Sequence, residues 1–160
     1  MIGDDDQLAQ VFQNLIDNAI KYTRDNTEVR VTLTVKDGRR SGPMVSIAVA
    51  DCGEGIARTH LPRLTERFYR VDPARSRALG GTGLGLAIVK HIVNRHRGQM
   101  TIESDVGKGS TFTVLLPVAA DAVLELERDW EERSRLAREQ AEKFDWGRSA
   151  EILLELLLRV

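Results

Sequence analysis

One cysteine, Cys52, in 160 residues excludes a disulfide framework and a zinc site built on cysteines. No run of about eighteen apolar residues occurs, so no segment is expected to span a membrane. The acidic start, Met1 to Asp6, is unlike a secretory leader, and a cytoplasmic protein is expected. Excess charge of one sign is also lacking. With 23 basic against 24 acidic side chains and only 5% aromatics, the chain does not read as a nucleic-acid binder.

What is present is unevenly placed. Residues 1–118 carry 16 basic and 13 acidic side chains, a balance of +3, whereas residues 119–160 carry 7 and 11, a balance of −4. All four prolines precede residue 118 and both tryptophans, Trp130 and Trp146, follow it. The division predicts one α/β domain over 1–117 and a helical extension over 118–160.

Within the first part, Leu8, Val11, Phe12, Leu15, Ile16, Ala19 and Ile20 recur at helical spacing, which predicts a helix over 4–23 with Asp4 to Asp6 as N-cap candidates. Alternation over Glu28–Lys36 and the run Met44–Asp51 predict two strands around a Gly/Pro turn, hence a hairpin. A short helix near Thr59–Glu66 and an irregular, arginine-rich stretch to Gly81 are expected next. A long helix over Gly83–Arg97 then precedes strands at Gln99–Ser104 and Ser110–Leu116. The expected fold class is a two-layer α/β sandwich, with a mixed sheet and helices on one face.

Four clusters carry chemistry. Asn14, Asn18 and Lys21 fall at i, i+4 and i+7, on one side of a helix. Neutral amide oxygens suit a hard divalent cation already surrounded by phosphate oxygens, and the ammonium neutralises phosphate; a plain solvated face is the alternative. Asp51-Cys52-Gly53-Glu54-Gly55-Ile56 follows a strand. A carboxylate there can accept from an exocyclic amine such as that of adenine, and the glycines let backbone approach a flat ring; an Asp-x-Gly turn is the alternative. Cys52 reads as a small packed residue. Gly80-Gly81-Thr82-Gly83-Leu84-Gly85 opens a helix, which makes an anion site. It is neither a P-loop nor a Rossmann fingerprint. Arg58, Arg63, Arg67, Arg70, Arg75 and Arg77 crowd residues 58–77, a lid able to close over a triphosphate.

These clusters, in this order, resemble the ATP-binding catalytic domain of bacterial sensor histidine kinases. That domain has the GHKL or Bergerat fold, shared with DNA gyrase, the Hsp90-type chaperone and the mismatch-repair ATPase. The N box is NLIDNAIKYT (14–23), the G1 box DCGEGI (51–56), the F box RFYR (67–70), the G2 box GGTGLGLAIVK (80–90), and GKGSTFTVLLP (107–117) the closing strand pair. The resemblance covers about three quarters of the chain. It implies ATP and Mg²⁺ as cofactors, with Asn18 the main metal ligand and Asn14, one turn earlier, lining the same phosphate site and sharing the ion. It implies that Lys21 and Tyr22 contact phosphates and the ribose side. Asp51 would accept from the adenine amine, with Gly53, Gly55 and Ile56 around the ring and Ser110 supporting Asp51 or its bridging water. Arg70 would reach the γ-phosphate from the lid, and Gly81, Thr82, Gly83, Leu84 and Gly85 would cradle the phosphates. Thr65 stands where the pattern usually has phenylalanine, and Cys52 where it usually has asparagine.

A phosphoacceptor histidine is not found. His60 lacks the acidic neighbour of an acceptor motif and reads as a surface residue; His91 and His96 read as packing or solvent positions on the long helix. The partners that the resemblance implies are therefore a histidine-bearing dimerisation domain, supplied elsewhere in a parent protein of the kind that a membrane can anchor, and a downstream response regulator. Only Met1-Ile2-Gly3 remains of the family's first strand, so truncation or a chimeric origin would leave a module inactive in transfer. The tail AREQAEKFDWGRSAEILLELLLRV (137–160) resembles the C-terminal helices of GT-B glycosyltransferases. Its Ile152, Leu153, Leu156 and Leu157 stripe is expected to cover apolar surface of the domain or, alternatively, to form a homodimer.

Overall fold

A computed structural model describes residues 4–38 and 42–117. Residues 1–3, the hairpin tip and 118–160 lie outside the described residues, and with them the strand remnant and the apolar stripe of the tail. The elements are α1 (Asp5–Tyr22), β1 (Arg30–Gly38), β2 (Gly42–Asp51), α2 (Pro73–Ala78), α3 (Gly85–Arg95), β3 (Gln99–Asp105) and β4 (Gly109–Pro117). A single 3-10 turn, Leu61–Arg63, takes the place of the short helix expected near Thr59–Glu66.

Asp4 starts α1 by accepting from the Gln7 amide at 3.1 Å, and Asp5 and Asp6 sit at the positive end of the helix dipole. Leu8, Val11, Phe12, Leu15, Ile16 and Ala19 are buried as their spacing predicts. Ile20, beside the buried Ala19 at the end of α1, is 39% exposed. On α3, Val89 joins Ile92 and Val93 in the core, whereas Leu84, Leu86, Ala87 and Ile88 are only half-buried.

The strand order is β1-β2-β4-β3. Among the described residues every pairing is antiparallel, where a mixed sheet was expected. The reason lies in the connections. β1 and β2 form one hairpin and β3 and β4 another; the crossover through α3 makes β2 and β3 run in the same direction, but β4 inserts between them.

Alternation aligns the apolar side chains in rows across the strands. Leu33, Ile47, Val114 and Met100 form one row, and Val31, Val49, Phe112 and Ile102 the next. Helices α1 and α3 pack on this face and on each other. Two residues further along each strand the row becomes polar: Asp51, Ser110 and Ser104 lie side by side where the apolar core ends. The same period that builds the core thus builds a polar floor at the sheet's end.

His96 joins the two helices. Its Nε2 accepts from the Asp4 amide at 3.1 Å, so the proton is on Nδ1, which donates to the Ile92 carbonyl at 2.9 Å. It is a tie between the start of α1 and the end of α3, more specific than the packing or solvent position expected.

Candidate functional site

The loop after β2 crosses the end of the sheet, and its glycines are set by contact. A Cβ on Gly53 would fall 2.2 Å from the Tyr22 carbonyl oxygen, at the end of α1. A Cβ on Gly55, whose φ is +71°, would fall 2.0 Å from the Asp105 carbonyl oxygen. The loop is therefore pressed between the N box and the β3–β4 turn. Its backbone is held there: Ile56 N–H donates to Ser104 Oγ at 2.8 Å, Gly107 N–H donates to the Glu54 carbonyl at 2.7 Å, and Cys52 N–H donates to Thr23 Oγ1 at 3.3 Å. Cys52 is half-buried, as a small packed residue should be.

Asp51 is buried on the polar row. Its Oδ1 accepts from the Gly53 amide at 2.8 Å and the Ser110 amide at 3.3 Å. Desolvation by burial pushes its pKa up, and the two amide bonds oppose that rise. Ser110 supports Asp51 through its backbone; its hydroxyl faces Ser104 Oγ at 3.0 Å instead. A cavity of about 390 Å³ opens at this end of the sheet, lined in part by Asp51, Ser104, Ser110, Arg58 and Lys108. Ser104 is the site residue that sequence reasoning passed over. Its signal was present in the strand alternation, which puts it in the row of Asp51 and Ser110.

From the other side, α3 meets α1. The expected helix start at Gly83 is displaced to Gly85, with Leu84 as N-cap. A Cβ on Gly85 would lie 2.8 Å from Asn14 Oδ1, while Asn14 Nδ2 donates to the Gln10 carbonyl at 2.8 Å. The amide oxygen of Asn14 is thereby aimed at the start of α3. Asn18, one turn later, is half-buried, as is Tyr22, and Lys21 is exposed. The first bond within α3 is from Ile88 N–H to the Leu84 carbonyl at 2.9 Å, which leaves the amides of Gly85, Leu86 and Ala87 without intrahelical acceptors. The preceding loop is partly committed to itself. Gly81 N–H donates to the Ser76 carbonyl at 2.7 Å and Leu84 N–H to Thr82 Oγ1 at 3.3 Å, so neither amide is spare for an anion.

The arginine-rich stretch read as irregular contains α2, capped by Asp72, whose Oδ1 accepts from the amides of Ala74 and Arg75. Asp72-Pro73 is an N-cap and first-turn pair, the sequence signal for this helix. Phe68 takes φ +65°, its N–H donates to the Gly83 carbonyl at 2.8 Å, and its ring is 70% exposed. His60 is not a free surface residue: it is half-buried, with Nδ1 2.6 Å from the Tyr69 hydroxyl, and Arg63 covers the Tyr69 ring at 4.3 Å. Lys90 Nζ donates to Thr65 Oγ1 at 3.2 Å, so a polar contact ties α3 to the arginine-rich stretch at that position. Arg70 holds a buried Nε with no hydrogen-bond partner among the described residues.

Arg75 Nη1 pairs with Glu54 Oε2 at 2.5 Å, joining α2 to the G1 loop. Both side chains are substantially exposed, so the pair is a weak latch. Glu54→Gln is expected to speed release of a bound nucleotide about two- to fivefold, the range an exposed pair supports. Stopped-flow chase of a fluorescent analogue measures this, and raising salt should bring the unaltered protein towards the variant.

A glycine loop pressed between the end of α1 and the β3–β4 turn, a buried carboxylate at a strand end and an open helix N-terminus define an ATPase-type nucleotide site on a two-layer sandwich. Residues 3–120 match the Histidine kinase-, DNA gyrase B-, and HSP90-like ATPase family. The phosphate regulon sensor protein PhoR of Pseudomonas aeruginosa is 50% identical over 111 residues, which are 69% of this chain and 24% of that protein. The sensor-like histidine kinase SenX3 of Mycolicibacterium smegmatis is 46% identical over 121 residues, 76% of this chain and 30% of that protein. Among solved structures, the mycobacterial sensor histidine kinase MprB superposes with a TM-score of 0.61 at 30% identity, covering 73% of this chain and 74% of that one. The chain belongs to this ATPase family, as a catalytic domain of the sensor histidine kinase type. It spans 24% and 30% of the length of the two sensor proteins.

Proposed function

We propose that this module binds Mg-ATP and presents it for phosphoryl transfer to a histidine on a separate dimerisation domain, within a two-component signalling protein. In this reading residues 1–117 are the catalytic module and 118–160 an extension, and a response regulator receives the phosphoryl group afterwards. The observation that carries the proposal is the convergence of the N, G1 and G2 boxes, with Gly53 against Tyr22 and Gly85 against Asn14. No helix of the described residues is long and apolar enough to cross a membrane. A cytoplasmic site of action follows from the need for ATP.

The donor set fits a magnesium ion that arrives with phosphate. The neutral amide oxygens of Asn14 and Asn18, one turn apart on α1, suit a hard cation that brings its own phosphate oxygens rather than one needing a full protein cage. Asn18 is the proposed ligand and Asn14 lines the same space. Held there, the ion would supply charge neutralisation to the phosphates.

The protein's own contribution is positioning. Asp51 receives the base amine, with Ile56 and Gly55 beside the ring; Lys21 and Tyr22 face the phosphates and ribose. The free amides at the start of α3, preceded by Gly81 to Leu84, take phosphate oxygens. Arg70, whose Nε has no partner among the described residues, is the proposed γ-phosphate contact and the group that stabilises charge during transfer. No covalent protein intermediate on this chain is required.

The test pairs the protein with a separate histidine-bearing helical domain and labelled ATP. Acid-labile label on that histidine is expected. Arg70→Ala should lower the transfer rate about a hundredfold or more and weaken ATP while sparing ADP. Equal loss of ATP and ADP binding would remove Arg70 from the γ-phosphate, and no phosphohistidine with any such domain would overturn the transfer reading.

A further inference from the structure

Ser104 Oγ makes three hydrogen bonds, and their directions can be assigned. It accepts from Ile56 N–H at 2.8 Å, because an amide can only donate. It donates to the Gly109 carbonyl at 2.9 Å, because a carbonyl can only accept. A serine has one proton, and that proton is then spent. The third contact, 3.0 Å to Ser110 Oγ, must therefore run from Ser110 to Ser104. The proton of Ser110 points along the row, away from Asp51, and the lone pairs of Ser110 are left as acceptors.

We propose that Ser104 is a positioning residue that sets base selectivity: by fixing the direction of the Ser110 hydroxyl, it makes the polar floor beside Asp51 accept only, so that a 6-amino purine is taken and a 6-oxo purine refused. The inference rests on the nucleotide-binding reading above. Asp51 already has Oδ1 committed to two amides, so what it offers a ligand is an acceptor oxygen. With Ser110 also held as an acceptor, a base edge carrying an amine is matched. One carrying a carbonyl meets lone pairs with no proton to satisfy it. Ser104 also holds Ile56, so it fixes the loop beside the base at the same time.

The proposal has a signature that a simple packing role lacks. Removing the Ser104 hydroxyl releases the Ser110 proton to rotate. Ser104→Ala should weaken ATP binding about tenfold, through the loosened Ile56 loop, while inosine triphosphate, the 6-oxo counterpart, binds as well as before or better. The ATP to inosine triphosphate preference should fall at least tenfold. Ser104→Thr keeps a hydroxyl and should restore the preference; Ser104→Cys, a near-isostere with weak hydrogen bonding, should fall between and guards against a misfolded alanine variant. Isothermal titration with each triphosphate and Mg²⁺ reads all of this. If the unaltered protein binds neither triphosphate, the nucleotide reading itself fails. If it binds ATP selectively, but Ser104→Ala and Ser104→Cys weaken both triphosphates equally or neither, the nucleotide reading stands and the role of Ser104 is overturned.

Discussion

Asp51→Asn is expected to lower ATP affinity about thirtyfold to 150-fold or more while leaving the free protein as stable as before or more so. Asparagine can keep the two bonds from the Gly53 and Ser110 amides only by placing its oxygen at the Oδ1 position. Its NH₂ then stands where a base amine must donate, and two donors face each other. Losing a hydrogen bond to a charged group and leaving both donors unsatisfied is worth about 2–3 kcal/mol or more. The free protein responds oppositely because burial raises the Asp51 pKa on folding. For a carboxyl group with a raised folded pKa, its contribution to stability is full below the unfolded value and is lost as pH rises through the folded one. At neutral pH the ionised side chain is therefore a cost that asparagine removes. Titration with a fluorescent ATP analogue and thermal melting without ligand check the two halves. In the unaltered protein, acidification should weaken ATP binding from a higher pH than an ordinary aspartate would give.

Gly55→Ala is expected to destabilise the fold by about 2–5 kcal/mol and to abolish nucleotide binding. Two penalties add. The left-handed backbone at φ +71° costs an alanine about 1–2 kcal/mol, and a Cβ 2.0 Å from the Asp105 carbonyl oxygen forces the loop off the β3–β4 turn at a further 1–3 kcal/mol or so. Gly107→Ala separates the two. Its φ is +87° but nothing lies within 4 Å of its Cβ, so only the backbone cost of about 1–2 kcal/mol is expected. Urea denaturation midpoints compare the pair. Equal midpoints would remove the steric account of Gly55.

Periodicity made the core and most elements legible. The spacing of Leu8 to Ala19 located α1, and alternation located four strands within about two residues of their ends. Pairing direction was not legible, because whether β2 has β3 or β4 beside it depends on the crossover through α3, and no local residue records that choice. Helix α2 was missed because a run of arginines masks its Asp72-Pro73 start. Motif reading found the residues that line the loops and helix ends. It did not find Ser104, which has no motif value of its own, nor that Gly81 spends its amide on Ser76. Both are matters of where a proton points, which only a three-dimensional hydrogen-bond network determines. His60 shows the same limit: its neighbour in space, Tyr69, is nine residues away in sequence.

The polar floor lies in the same alternation as the hydrophobic core, two residues further along three strands. A one-residue slip of β4 against its neighbours would put Thr111 in place of Ser110 and, in the same movement, turn Phe112 and Val114 out to solvent. Misfolded sheets therefore cannot imitate the site. On the proposed role of Ser104, a preparation that discriminates between purine triphosphates would thereby report the alignment of its strands. Ligand selectivity then serves as an assay of folding fidelity for variants whose helices and overall dimensions look unchanged.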